Sequence, residues 1–95
     1  MIIINVLLDV KADKRKEFLG FMADMVEKSR AESGCIFYTL FEEVEAENQF
    51  ATIEKWQDQK AVDQHNETMH FQSFVDKIND YLMKDFDIVV SQSTE

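Results

Sequence analysis

Apolar positions along the chain change their period several times, and each change predicts an element. Residues 2–9 are β-branched and leucine-rich at both parities and close on Asp9, which predicts a strand covered on both faces. From Lys14 to Ser33 the period lengthens. Phe18, Met22, Met25, Val26 and Ser29 recur at three- and four-residue spacing, while Lys16, Asp24, Glu27 and Arg30 fall largely off that stripe. This predicts an amphipathic helix, with Asp13 as its N-cap and Gly34 as the left-handed residue beyond its C-terminus. The basic run Lys14, Arg15 and Lys16 opposes the helix dipole in the first turn, a small local conflict.

Cys35 to Phe41 is apolar or aromatic almost throughout and again asks for burial on both faces. The acidic stretch 42–48 separates it from a second run, Gln49 to Trp56, so the two make a hairpin with a long solvated tip. In the second run Phe50, Thr52, Glu54 and Trp56 share one face, and Ala51, Ile53 and Lys55 the other, because strand side chains alternate. Asp58 caps a short helix over residues 59–65, and Thr68 caps a longer one over 69–82. Phe71, Phe74, Val75, Ile78 and Leu82 form the apolar stripe of the longer helix. Residues 85–90 complete the set as a last strand, with 91–95 as a frayed tail.

Strand, helix, strand, strand, helix pair, strand is the split βαβ order of an α+β, ferredoxin-like domain, and residues 1–95 make one such domain. That fold puts its helices on one face of a four-stranded antiparallel sheet. The other face cannot be polar here, since the first two strands are apolar at both parities, and a second sheet most simply covers it. A chain of 95 residues has a modest core of its own, so a homodimer is the expected state.

Ten basic against nineteen acidic residues leave a net charge of -9, which repels phosphate backbones and anionic membrane surfaces. Nucleic acid and membrane are therefore excluded as expected partners. The first apolar run is too short for a membrane span and lacks a cleavage site, so the chain reads as cytoplasmic. The lone Cys35 has no second thiol to pair with, and it lacks the neighbours of a zinc site; no metal is expected there. It reads as an inert small hydrophobe.

Candidate chemistry concentrates where a strand ends in Glu54-x-Trp56 and His65 follows nine residues later. One pocket can collect a carboxylate, an indole and an imidazole from that stretch. His65 is the best candidate base, because imidazole titrates near neutral pH; the competing reading is an imidazolium at a helix C-terminus. Glu54 orients an imidazole or accepts a substrate hydroxyl, or else is exposed or locally paired. Trp56 lines the pocket and offers its indole N–H to a substrate oxygen, or else is core. Asn5, the only polar residue between Ile2 and Leu8, reaches the substrate or ties down backbone. Tyr38 supplies a phenolic donor or packs at the dimer interface, and Phe50, Phe71 and Phe74 wall the cavity or fill the core. His70 reads as a surface or capping residue.

The set Glu32-Ser33-Gly34-Cys35 leading into Tyr38, then Phe50, Glu54-Lys55-Trp56, Ala61, His65, His70-Phe71 and Phe74 resembles the antibiotic biosynthesis monooxygenase family of dimeric α/β barrels, over essentially the whole chain. The resemblance implies a pocket between sheet and helices, with the opposite sheet face forming the dimer barrel. It specifies fold more tightly than reaction, since the family includes cofactor-free oxygenases, isomerases, haem degraders and members with no assigned activity. In the oxygenase members a phenol or hydroquinone loses a proton and the anion reduces oxygen directly, with neither flavin nor metal. The leading expectation is a cofactor-independent monooxygenase for a small phenol or quinol, with His65 as base. Two alternatives stand beside it: an isomerase or degradation enzyme for a small hydroxyketone, and a dimer that binds a metabolite without turning it over.

Overall fold

The computed structural model describes residues 1–93, and its order is that of the ferredoxin-like fold. Strand β1 (Ile2–Asp9) leads to helix α1 (Arg15–Arg30), the hairpin β2 (Cys35–Glu42) and β3 (Gln49–Trp56), helices α2 (Gln59–Asn66) and α3 (Met69–Lys77), and strand β4 (Asp87–Gln92). The sheet runs β2-β3-β1-β4 and every neighbouring pair is antiparallel. Among the described residues no helix is long and apolar enough to cross a membrane.

Register sets which side chains meet. Ile4 lies opposite Glu54 on one side and Val90 on the other, and Tyr38 lies opposite Glu54. Ile2, Ile4, Val6 and Leu8 therefore share a face with Phe50, Thr52, Glu54 and Trp56, and that face is buried under the helices. From α1 it receives Phe18, Met22 and Met25; Phe74 and Ile78 come from α3 and the turn after it. On the opposite face the chain leaves apolar side chains uncovered, among them Leu7 at 46% exposure, Phe41 at 45% and Val89 at 52%.

Several boundaries differ from the sequence expectation. Asp13 does not cap α1: a 3-10 turn over Ala12–Lys14 precedes the helix, and no side chain caps it. Arg15 is drawn instead to the hairpin tip, where its guanidinium pairs with Glu42 and donates to Asn48 Oδ1 at 2.9 Å. Glu42 also accepts from the Asn48 backbone N–H at 2.9 Å, and Asn48 takes the left-handed conformation that closes the tip, at φ 71°. The Arg15 guanidinium, helped by that N–H, holds the Glu42 carboxyl down at about 2.

Gly34 is not left-handed either. Its role is steric, because a Cβ there would stand 2.3 Å from Ala61 Cβ, so the missing side chain is what lets α2 seat on the sheet edge. Asp58 and Thr68 cap α2 and α3, accepting from Ala61 N at 2.9 Å and Phe71 N at 3.1 Å. The expected 69–82 helix stops being α-helical at Lys77 and tightens into a 3-10 turn over Ile78–Tyr81. Pairing with β1 carries the last strand through Ser91 and Gln92, which were expected in the tail; residues 94 and 95 of that tail lie outside the described residues.

Candidate active site

Between the buried sheet face and the helices lies a cavity of about 310 Å³, near the lower end of the range for small-molecule sites. Strands β1 and β4 supply Ile and Val to its wall, α3 supplies Phe71 and Phe74, and Phe86 precedes β4. Its polar groups are few: Tyr38, Thr52, Glu54, Gln59, His65 and Asn66. Among the described residues no Lys or Arg lines it.

Strand alternation builds the carboxylate corner. Thr52, Glu54 and Trp56 are successive inward residues of β3, and their side chains bond along the strand. Glu54 accepts from Thr52 Oγ1 at 2.9 Å and from Trp56 Nε1 at 3.2 Å, and Thr52 Oγ1 in turn accepts from the Val6 backbone N–H at 3.1 Å. Glu54 is only 3% exposed, and that burial pushes its carboxyl up to about 7. The two hydrogen bonds favour the anion and limit the rise, while the charge of Glu32 adds to it. Near neutral pH this group both gives and takes a proton.

The imidazole corner comes from the end of α2. His65 is buried, with its ring 4.4 Å from Trp56 and edge-on to Phe71 at 5.3 Å between centroids. Burial lowers its pKa, against the raising effect of a 2.7 Å bond to Glu32 and that residue's charge, so the ring is held toward its neutral form. Tyr38, 6.1 Å from His65 between centroids, is raised by burial and by the charge of Glu54, and stays a neutral phenol. Burial likewise raises Cys35, keeping its thiol protonated.

Not every candidate converges here. His65, Glu54, Tyr38, Phe71 and Phe74 line the cavity. Trp56, fully buried, stands behind the wall with its N–H already given to Glu54, so it holds the carboxylate and has no donor left for a substrate. Asn5 sits at the opposite parity of β1 from the lining residues Ile4 and Val6, and donates its amide to the Thr52 carbonyl at 3.2 Å. Phe50 has the right parity but lies at the other end of β3, its ring tilted against Phe18 at 4.9 Å between centroids and under the Arg15 guanidinium.

Two residues enter in a role that sequence reasoning did not give them. Glu32, in the turn after α1, meets His65 across 33 residues of chain and His70, in the first turn of α3, across 38: Glu32 Oε2 is 2.7 Å from both His65 Nδ1 and His70 Nε2. These three ligating atoms lie within 4.8 Å of one another, a donor set of the kind that holds transition metals. The spacing is that of hydrogen bonds, however. Ligands about 2.1 Å from a tetrahedral ion stand roughly 3.3 Å apart, so both nitrogens would have to retreat from the oxygen to admit one.

Known proteins share this arrangement of elements. The family model for antibiotic biosynthesis monooxygenase matches residues 1–77. The Bacillus subtilis protein YcnE, whose name proposes a monooxygenase, is 44% identical over 95 residues and covers all of both chains. The crystal structure of an antibiotic biosynthesis monooxygenase superposes with a TM-score of 0.91 at 29% identity, again over 100% of each chain. A conserved protein from Methanosarcina mazei superposes with a TM-score of 0.93 at 27% identity, covering 98% of this chain and 92% of its own. With its fold, its 1–77 match and a full-length relative in agreement, the chain belongs to the antibiotic biosynthesis monooxygenase family.

Proposed function

We propose that the chain is a cofactor-independent monooxygenase acting on a small, uncharged phenol or quinol, with His65 as the base. The observation that carries this reading is an apolar, aromatic-walled cavity lined by an imidazole that burial holds toward its neutral form and by a carboxyl of pKa about 7, both able to take a proton. His65 takes the phenolic proton, and burial of the site makes the anion a strong electron donor. The electron-rich ring then reduces dioxygen, keeping one oxygen atom as a new ring carbonyl. The other oxygen leaves as water with the hydroxyl proton and the displaced ring hydrogen, and the product is a quinone. Family membership and the relative's name support a monooxygenase-like activity.

Substrate charge follows from the lining. With no cation in the wall and Glu54 partly ionised, a carboxylated or phosphorylated analogue would be buried unpaired. Oxygen uptake with a panel of hydroquinones and naphthols is expected to be limited to neutral members; uptake only with acidic members, or with none, overturns the assignment. Glu54 favours a second reading, since two acid–base groups in one cavity suit proton transfer in a hydroxyketone without oxygen. Deuterium exchange into such a ketone under anaerobic conditions would select it.

We propose further that a second copy of the chain covers the open sheet face, where Leu7, Phe41 and Val89 stand exposed beside Phe37. Sedimentation equilibrium is expected to give twice the chain mass at micromolar concentration, and Phe41→Glu to shift it to the monomer. A monomeric mass for the unaltered chain would exclude this assembly.

A further inference from the structure

We infer that Glu32 is a positioning residue that fixes which nitrogen of His65 faces the cavity, and that His70 anchors that carboxylate, an inference that rests on the reading of His65 as the base. A carboxylate oxygen carries no proton, so a contact of 2.7 Å to each ring requires that both nitrogens donate. His65 therefore bears its proton on Nδ1, and its Nε2 keeps the lone pair that a base needs. Glu32 thus does for His65 what a buried carboxylate does for any imidazole base, and it comes from the turn after α1, since the helix expected through Ser33 ends at Arg30.

The second imidazole distinguishes this cluster from a simple pair. His70 gives its Nε2–H to the same oxygen, which anchors the carboxylate and draws off part of its charge. Its ring stands 5.7 Å from that of His65 between centroids, and its side chain reaches the surface beside α1, where Asp24 and Lys28 border a shallow groove with it. The titratable groups facing His65 are then Glu32 from the turn after α1, His70 from α3, Tyr38 from β2 and Glu54 across the cavity. Of these, Glu32 and His70 act on it in opposite senses: the carboxylate favours the imidazolium and the second ring disfavours it.

The arrangement is read directly by nitrogen NMR of the histidine rings, which reports tautomer and protonation without any substrate. In the unaltered protein His65 is expected in the Nδ1–H form. Glu32→Gln is expected to mix the tautomers and move the His65 titration midpoint to lower pH. His70→Ala is expected to keep the tautomer and move the midpoint to higher pH, and His70→Gln, whose amide can still donate to Glu32, to restore it toward the original value. Opposite shifts are a signature that mere loss of packing would not produce. An Nε2–H tautomer in the unaltered protein, or midpoints that move together or not at all, overturns the inference. Because the readout needs no turnover, it stands or falls separately from the monooxygenase assignment, which oxygen uptake tests.

Discussion

Replacing His65 with alanine is expected to lower turnover of a phenolic substrate by about 10²- to 10⁴-fold, the range that a well-placed general base contributes. The argument is one of location. His65 is the neutral-leaning imidazole of a cavity whose remaining wall is largely hydrocarbon, and Tyr38 is held too high to accept a proton. Because burial lowers the His65 pKa, activity is expected to fall off only below the ordinary imidazole value of 6.5. The alanine variant should lose that acid limb as well as the rate, and added imidazole should restore part of the rate. Turnover unchanged in the variant, measured by oxygen uptake, would remove His65 from the mechanism and leave Glu54 as the candidate.

The second large effect concerns Glu54 and needs no substrate. Its carboxyl sits at about 7 in the folded protein against an ordinary value of 4.5, so folding is favoured by the protonated form. The stability this contributes is fully present below 4.5 and is lost as pH rises through 7, a difference of about 3 kcal/mol. His65 works from the other side, since its lowered pKa withdraws stability as pH falls below 6.5. Glu54→Gln keeps an oxygen to accept from Trp56 Nε1 and puts an amide NH2 that can donate to Thr52 Oγ1 in place of the second oxygen, while removing the buried charge. Denaturant unfolding from pH 4.5 to 8 is expected to show the variant gaining on the parent as pH rises. Parallel profiles for the two proteins would mean that water or a rearrangement reaches Glu54 and relieves it.

Local chemistry made much of this fold legible. The caps at Asp58 and Thr68, the α1 stripe and the shared face of Thr52, Glu54 and Trp56 depend on neighbours within a few residues, and they stand as expected. What failed depended on longer-range arrangement. Parity along one strand does not give its phase against the next, which register sets, so Asn5 could not be assigned to a side. Nor does parity say which end of a strand a site occupies. Phe50 shares its face with Glu54 but lies four residues away, about 13 Å along the strand. Glu32 and His70 were beyond reach for a different reason, because nothing near them in sequence marks the meeting that the packing of α1 and α3 brings about. Gly34 was read through its backbone freedom, when its importance lies in an atom it lacks.

The pairing of β4 with β1 carries a consequence for how the site comes into being. Ile88 and Val90 close one side of the cavity, and the ladder that holds them joins Ile2 to Gln92, among the most distant partners in the chain. Contacts of such separation carry the greatest loop-closure entropy and are slow to form. A folding chain can therefore hold its hairpin and helices while it still has no enclosed pocket, and binding competence should emerge only with the last cooperative step.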